Sequence, residues 1–192
     1  MRLKRMTEKN SPKTVAETGR LLLRELTADD FPGLCRALQD EVVTKVYERT
    51  FTDREIRFWL EGQFRNYRDE GFGMWAVVLK ESGEMIGHAG IFVSRHGDDE
   101  IHEIGYLFEK AYWGNGYATE AVLACRKVAF DILGLEKVYS IIRADNMASR
   151  AVARKNGMRV VETVYRLTMG KAIPHYVYRI ANPERKTERS PG

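Results

Sequence analysis

The segment from Glu109 to Ala121, E-K-A-Y-W-G-N-G-Y-A-T-E-A, sets two glycines one residue apart between a strand-like run and a helix-like run. Ile101 to Phe108 before it reads as a strand. After it, Ala118, Ala121, Val122, Cys125, Ala129 and Ile132 recur on one face of a helix that stops at Gly134. Lys137 to Ile142 is again a strand, so the chain crosses over between two strands that should lie parallel. Gly114 and Gly116 let the backbone approach an anion closely, and the unpaired amides of the first helical turn point at the same place. A G-x-G turn alone is a weak signal. The dinucleotide fingerprint is incomplete, because Thr119 stands at its last glycine, and no Gly-Lys-Ser/Thr follows to make a nucleotide P-loop.

The rest of the chain supplies the context. Arg20 to Leu26 reads as a strand, and Phe31, Leu34, Cys35 and Leu38 fall at helical spacing behind Thr27. Thr52 to Glu55 is a capping box that opens a helix ending at Gly71. Trp75–Leu79 and Met85–Phe92 form a hairpin around Glu81-Ser82-Gly83. A helix over Ala148–Lys155 and strands near Arg159–Tyr165 and Pro174–Ile180 complete the pattern. Residues 1–14 read as a mobile arm, 15–181 as a single domain, and 182–192 as a flexible tail.

Composition narrows the function classes. With 192 residues, 44% hydrophobic and 30% charged, the chain suits one globular domain. No apolar run approaches a membrane span or a signal peptide, and Cys35 and Cys125 have no C-x-x-C neighbour, which points to a reducing cytoplasm without a disulfide framework. The net charge of +4 comes from scattered basic residues rather than a patch, so no specific nucleic-acid partner is expected. His88, His96, His102 and His175 lack ligand spacing, and no metal site is expected.

E-I-G-Y-L-F, W-G-N-G-Y-A-T-E-A and A-D-N-M-A-S-R-A-V-A-R-K-N-G-M, taken in order, resemble the GNAT N-acetyltransferases, most of all the RimJ/RimL-like branch that acetylates ribosomal-protein N-termini and other amines. T-G-R-L-L-L-R-E-L and W-A-V-V-L-K-E-S-G-E-M-I-G-H-A-G-I-F extend the likeness from about Glu17 to Ile180. The resemblance implies an α/β (α+β) fold: a mixed, mostly antiparallel twisted sheet with a splayed parallel pair and flanking helices. It also implies acetyl-CoA as co-substrate. The amides of Gly114, Asn115, Gly116, Tyr117, Ala118 and Thr119 would hold its pyrophosphate, and the backbone of Tyr106, Leu107 and Phe108 its pantetheine arm. Asn146 would hold the pantetheine or an ordered water, and Ser149 would lie near the thioester sulfur as the acid. Glu103 stands where some relatives place a catalytic glutamate. Two positions depart from the wider pattern: Trp113 replaces the usual Arg or Gln, and Ala153 replaces the tyrosine that often serves as acid.

A thioester is already activated, so the enzyme mainly holds a neutral amine in line with the carbonyl and aims a donor at the developing oxyanion. The bland readings stand beside these roles. Glu103 suits an ion-paired strand residue equally well, Ser149 a first-turn serine, and Asn146 a helix cap. The acceptor expected is a protein or peptide N-terminal α-amine, met by loops at Val43–Phe51 and Tyr165–His175. A polyamine or antibiotic acetyltransferase and a non-catalytic acyl-CoA-binding module are the alternatives. The sequence leaves a homodimer open.

Overall fold

A computed structural model describes residues 12–168 and 170–184. Its strands are β1 (Thr14–Glu17), β2 (Leu21–Glu25), β3 (Met74–Leu79), β4 (Met85–His96), β5 (Asp99–Phe108), β6 (Lys137–Arg143), β7 (Arg159–Thr168) and β8 (Lys171–Ala181). The α-helices are α1 (Phe31–Leu38), α2 (Asp53–Asp69), α3 (Tyr117–Lys127) and α4 (Met147–Lys155). All eight strands join one sheet in the order β1-β2-β3-β4-β5-β6-β8-β7. Every neighbouring pair is antiparallel except β5 and β6. This is the mixed α/β architecture expected from the sequence, with the parallel pair where the crossover demanded it.

Strand alternation sorts the core into two layers, one on each face of the sheet. Trp75, Val77, Ile104 and Phe108 face α3, packing with Ala121, Val122 and Cys125. Ala76, Val78 and Leu107 face the other way, packing with Leu34 and Leu38 of α1 and Ile56 and Leu60 of α2. β3 is buried along its whole length because both layers cover it, which explains its unbroken apolar run. Helix α2 begins at the capping box, where Thr52 Oγ1 accepts from Glu55 N at 3.3 Å and Glu55 Oε2 accepts from Thr52 N at 2.9 Å. Ahead of α1, the buried Asp30 carboxylate accepts two 2.7 Å bonds from the Arg24 guanidinium and a third from Thr27 N. Burial would raise the Asp30 carboxyl, yet these bonds outweigh it and hold the group below its ordinary range.

Three boundaries differ from the sequence reading. Thr14 opens β1 rather than closing an arm, because the backbone of β1 pairs with β2. Asn182, assigned to the tail, is buried; its N–H donates to Glu136 O at 2.7 Å and its side chain to Leu135 O. Residues 1–11 and 185–192 lie outside the described residues. The long helix changes winding after Lys127: residues Val128–Ile132 form a π-helical turn. That turn rotates the apolar face, and Ile132 is left 68% exposed instead of joining the core. Among the described residues no helix is long and apolar enough to cross a membrane.

Candidate active site

β5 and β6 touch as a ladder at a single position, Glu103 opposite Tyr139, and then separate. Each strand lends the other a side chain where the ladder fails. Glu103 Oε2 accepts from Ile141 N of β6 at 3.2 Å, and Ser140 Oγ of β6 donates to Ile104 O of β5 at 2.8 Å. Ser94 Oγ on β4 also donates to the Glu103 carboxylate. Glu103 is only 6% exposed, so these donors replace the water it gives up. Beyond this point the strands frame a slot through the sheet. Glu103 shares a face with Leu107 and the α1–α2 layer; Tyr106 shares the opposite face with Phe108 and the α3 layer.

The glycine turn lies at the far end of β5. Gly114 and Gly116 have φ of 81° and 82°, a left-handed conformation that a Cβ would strain. The turn is braced from within by Asn115 Nδ2, which donates to Tyr112 O and Trp113 O at 3.3 and 3.1 Å. Trp113 donates its indole N–H to Phe108 O at 2.9 Å and so pins the turn to the strand end. Gly116 is the N-cap of α3 and carries no side chain to cap it, so among the described residues the first-turn amides of Tyr117, Ala118 and Thr119 keep no side-chain acceptor. A helix start left open in this way, facing the slot across a glycine turn, is a place for an anion.

Across the slot, α4 presents its own N-terminus. Asn146 Oδ1 caps it by accepting from Ser149 N at 3.1 Å. Ser149 therefore sits in the first turn with its hydroxyl near Tyr106, and Ala153 one turn later is buried without a polar group. Burial pushes the Tyr106 phenol up to about 12, with the Ser149 hydroxyl acting against that shift.

On the α1–α2 side the segment before α2 crosses the end of β6. Glu48 adopts φ 57° and is the only described residue other than glycine at positive φ. It pairs with Arg143 of β6 at 2.9 Å, and Arg143 pairs in turn with Asp145 at 2.8 Å. The expected loop at Tyr165–His175 is instead a hairpin. β7 and β8 continue their ladder to Thr168 and Lys171, because backbone bonds extend it through residues whose side chains carry no strand pattern. His88 lies buried on β4 against Trp59, with ring centroids 5.0 Å apart and, among the described residues, no partner for Nδ1. Burial lowers it to about 4, so it is neutral.

The acetyltransferase (GNAT) domain matches residues 20–159 of the chain, which span the first antiparallel strands, the glycine turn, the splay and α4. The chain belongs to the GNAT family. The Bacillus subtilis protein YkkB is 34% identical over 153 residues, covering 79% of this chain and 89% of its own. A GNAT acetyltransferase from Bacillus anthracis has 25% identity and a TM-score of 0.74, covering 86% of this chain and 97% of that one. RimL, an α-N-acetyltransferase of ribosomal L7/L12 solved in complex with coenzyme A, shares the fold at 18% identity and a TM-score of 0.73, covering 88% of this chain and 98% of that one. The protein is thus an acetyl-CoA-dependent acyltransferase of the GNAT family, and its amine acceptor is a separate question.

Several residues that build this candidate site were not singled out from the sequence. Arg20 on the turn before β2 donates to Asn115 O at 3.0 Å and to Glu120 Oε2 at 2.7 Å, clamping the glycine turn to the first turn of α3. Asn156 is 1% exposed and donates to Thr119 O at 3.3 Å, tying the end of α4 to the start of α3. Ser94 and Ser140 close the splay. These contacts cross from 9 to 100 residues of sequence, so no local pattern marks them.

Proposed function

We propose that this GNAT enzyme transfers an acetyl group from acetyl-CoA to a protein or peptide N-terminal α-amine, across the slot between β5 and β6. The observation that carries the reading is the single ladder position at Glu103–Tyr139 followed by divergence toward an uncapped α3. The open amides of Gly114 to Thr119 hold the pyrophosphate, and the edge of β5 that β6 leaves beyond Glu103, along Tyr106, Leu107 and Phe108, faces the pantetheine arm, with the Phe108 carbonyl already accepting from Trp113. Asn146 keeps α4 in place as its cap and fixes Ser149 beside the slot.

The two faces then divide the work. The thioester sulfur belongs on the α3–α4 face beside Ser149, whose hydroxyl donates to it as the C–S bond breaks. The amine enters from the α1–α2 face, where Glu103 is the buried carboxylate at the slot's rim. Its oxygens already accept from Ser94 and Ile141, so accepting a proton from the amine means exchanging one of these bonds for the substrate's. An α-amine with an ordinary pKa near 8 needs less help than a lysine near 10.4, which suits a base tied up in this way.

The test compares initial rates on short peptides with free and blocked N-termini, spermidine and kanamycin. Free N-termini should have the highest kcat/KM, and blocking should abolish turnover. A preference for spermidine or kanamycin would overturn the acceptor while leaving acetyl transfer intact.

A further inference from the structure

The sheet ends in β1 on one side and β7 on the other, and the two edges are built differently. β1 spans four residues, Thr14–Glu17, a length that offers little to an incoming strand. β7 spans ten, Arg159–Thr168, and among the described residues it pairs only with β8. Its outer edge therefore carries backbone N–H and C=O groups that no strand takes up. Val160, Val161, Tyr165 and Leu167 are exposed along it, the last two at 70% and 81%. A register shift between Val160 and Glu162 bulges the strand, so the regular edge begins at Glu162. A long edge with exposed apolar side chains is one that native sheets cover or blunt. Its charges are informative too. Glu162 and Arg166 share a face of β7 but stand four residues, about 13 Å, apart, too far to pair with each other. Glu162 Oε2 meets His96 Nε2 at 2.7 Å, whereas Arg166 has no hydrogen bond, ion pair or ring contact among the described residues.

We propose that two copies of this chain pair antiparallel through β7, about a two-fold axis at Val164. In that register Glu162 of each copy stands opposite the partner's Arg166, Thr163 opposite the partner's Tyr165, and Val164 opposite itself. Residues directly opposite in an antiparallel pair have Cβ atoms about 5 Å apart, so both Glu–Arg pairs form at once and Arg166 gains the acidic partner it lacks within one copy. Slipping the register by one residue sets Glu162 against Leu167 instead, so the charges select the alignment. A strand paired with itself about a two-fold axis is self-complementary, and the assembly closes at two copies. The outer backbone groups of Glu162 to Arg166 find partners, and Leu167 of each copy comes beside Val161 of the other. Because the ladder is short, the dimer is reversible, with a dissociation constant of about 1–10 μM.

Sedimentation of the full chain from about 0.5 to 200 μM should show monomer passing into dimer. Arg166→Gln removes the attraction without adding repulsion and should weaken the dimer about tenfold. Arg166→Glu sets carboxylate against carboxylate at both positions, and Glu162→Arg sets guanidinium against guanidinium, so each variant alone should stay monomeric over the same range. Mixed in equal amounts, these two variants restore opposite charges at both positions and should form a heterodimer. The double variant Glu162→Arg/Arg166→Glu should dimerise like the wild type. Glu162→Arg also gives up the His96 contact, so circular dichroism and thermal unfolding accompany each variant, and recovery in the mixture reports the pairing independently of that loss. Wild-type protein that remains monomeric at the highest concentration would overturn the proposal. So would a dimer that both single charge reversals leave intact, or folded single variants whose mixture stays monomeric.

Discussion

Glu103 Oε2 accepts the backbone N–H of Ile141 at 3.2 Å, a carboxylate standing in for the strand partner that β6 loses as it leaves β5. Ser140 returns the favour by donating to Ile104 O at 2.8 Å. The splay is therefore held open by side chains, and its cost in unpaired backbone is met within the protein.

Ser140→Ala should leave the Ile104 carbonyl buried and unpaired, with a loss of about 1–3 kcal/mol. Urea unfolding should show a lower midpoint at unchanged slope. Glu103→Gln keeps one acceptor for Ile141, so it should cost less stability than Glu103→Ala while lowering kcat sharply. Equal stability in the two Glu103 variants would show that the Ile141 contact contributes nothing.

His88 gives the fold an acid sensitivity of its own. Its folded pKa is lowered to about 4 by burial, whereas the unfolded chain protonates it near 6.5. Above pH 6.5 neither state takes the proton. As pH falls below that, only the unfolded state does, so stability declines until about pH 4. The full loss is about 3 kcal/mol. His88→Phe, which keeps a ring against Trp59, should flatten the stability profile between pH 6.5 and 4.5. An unchanged profile would mean that the imidazole is reached by water in the folded state.

Gly116 separates strain from crowding. A Cβ there would meet Arg20 Nη2 at 3.6 Å, an ordinary contact, while φ of 82° is unfavourable for any other residue. Gly116→Ala should therefore cost about 1–2 kcal/mol of stability through the backbone alone. Gly116→Asp adds negative charge to the anion site, so acetyl-CoA affinity should drop further than in Gly116→Ala. Equal affinities in the two variants would place the pyrophosphate elsewhere.

Much of this was legible because the signals were local. The glycine turn, the Thr52–Glu55 capping box and the β3–β4 hairpin are short patterns whose physics acts within a few residues, and the crossover fixed the parallel pair. What stayed hidden was of two kinds. β1 and the outer ends of β7 and β8 are stabilised by backbone bonds to neighbours, which polar side chains do not advertise. The clamps from Arg20, Asn156, Ser94 and Ser140 join segments far apart in sequence and exist only once the sheet is assembled. Glu103 shows both sides of the problem. Its position was readable from the family pattern, but its bond to β6 needed the splay to be seen.

The central claim is that the slot between β5 and β6 binds acetyl-CoA and delivers its acetyl group to an amine. The most direct test mixes the protein with acetyl-CoA, with and without a short peptide bearing a free N-terminus, and follows free thiol together with peptide mass. The account predicts thiol release that depends on the peptide, with one acetyl group gained per thiol at the N-terminal amine. Acetyl-CoA that neither binds nor releases thiol with any amine offered would contradict it.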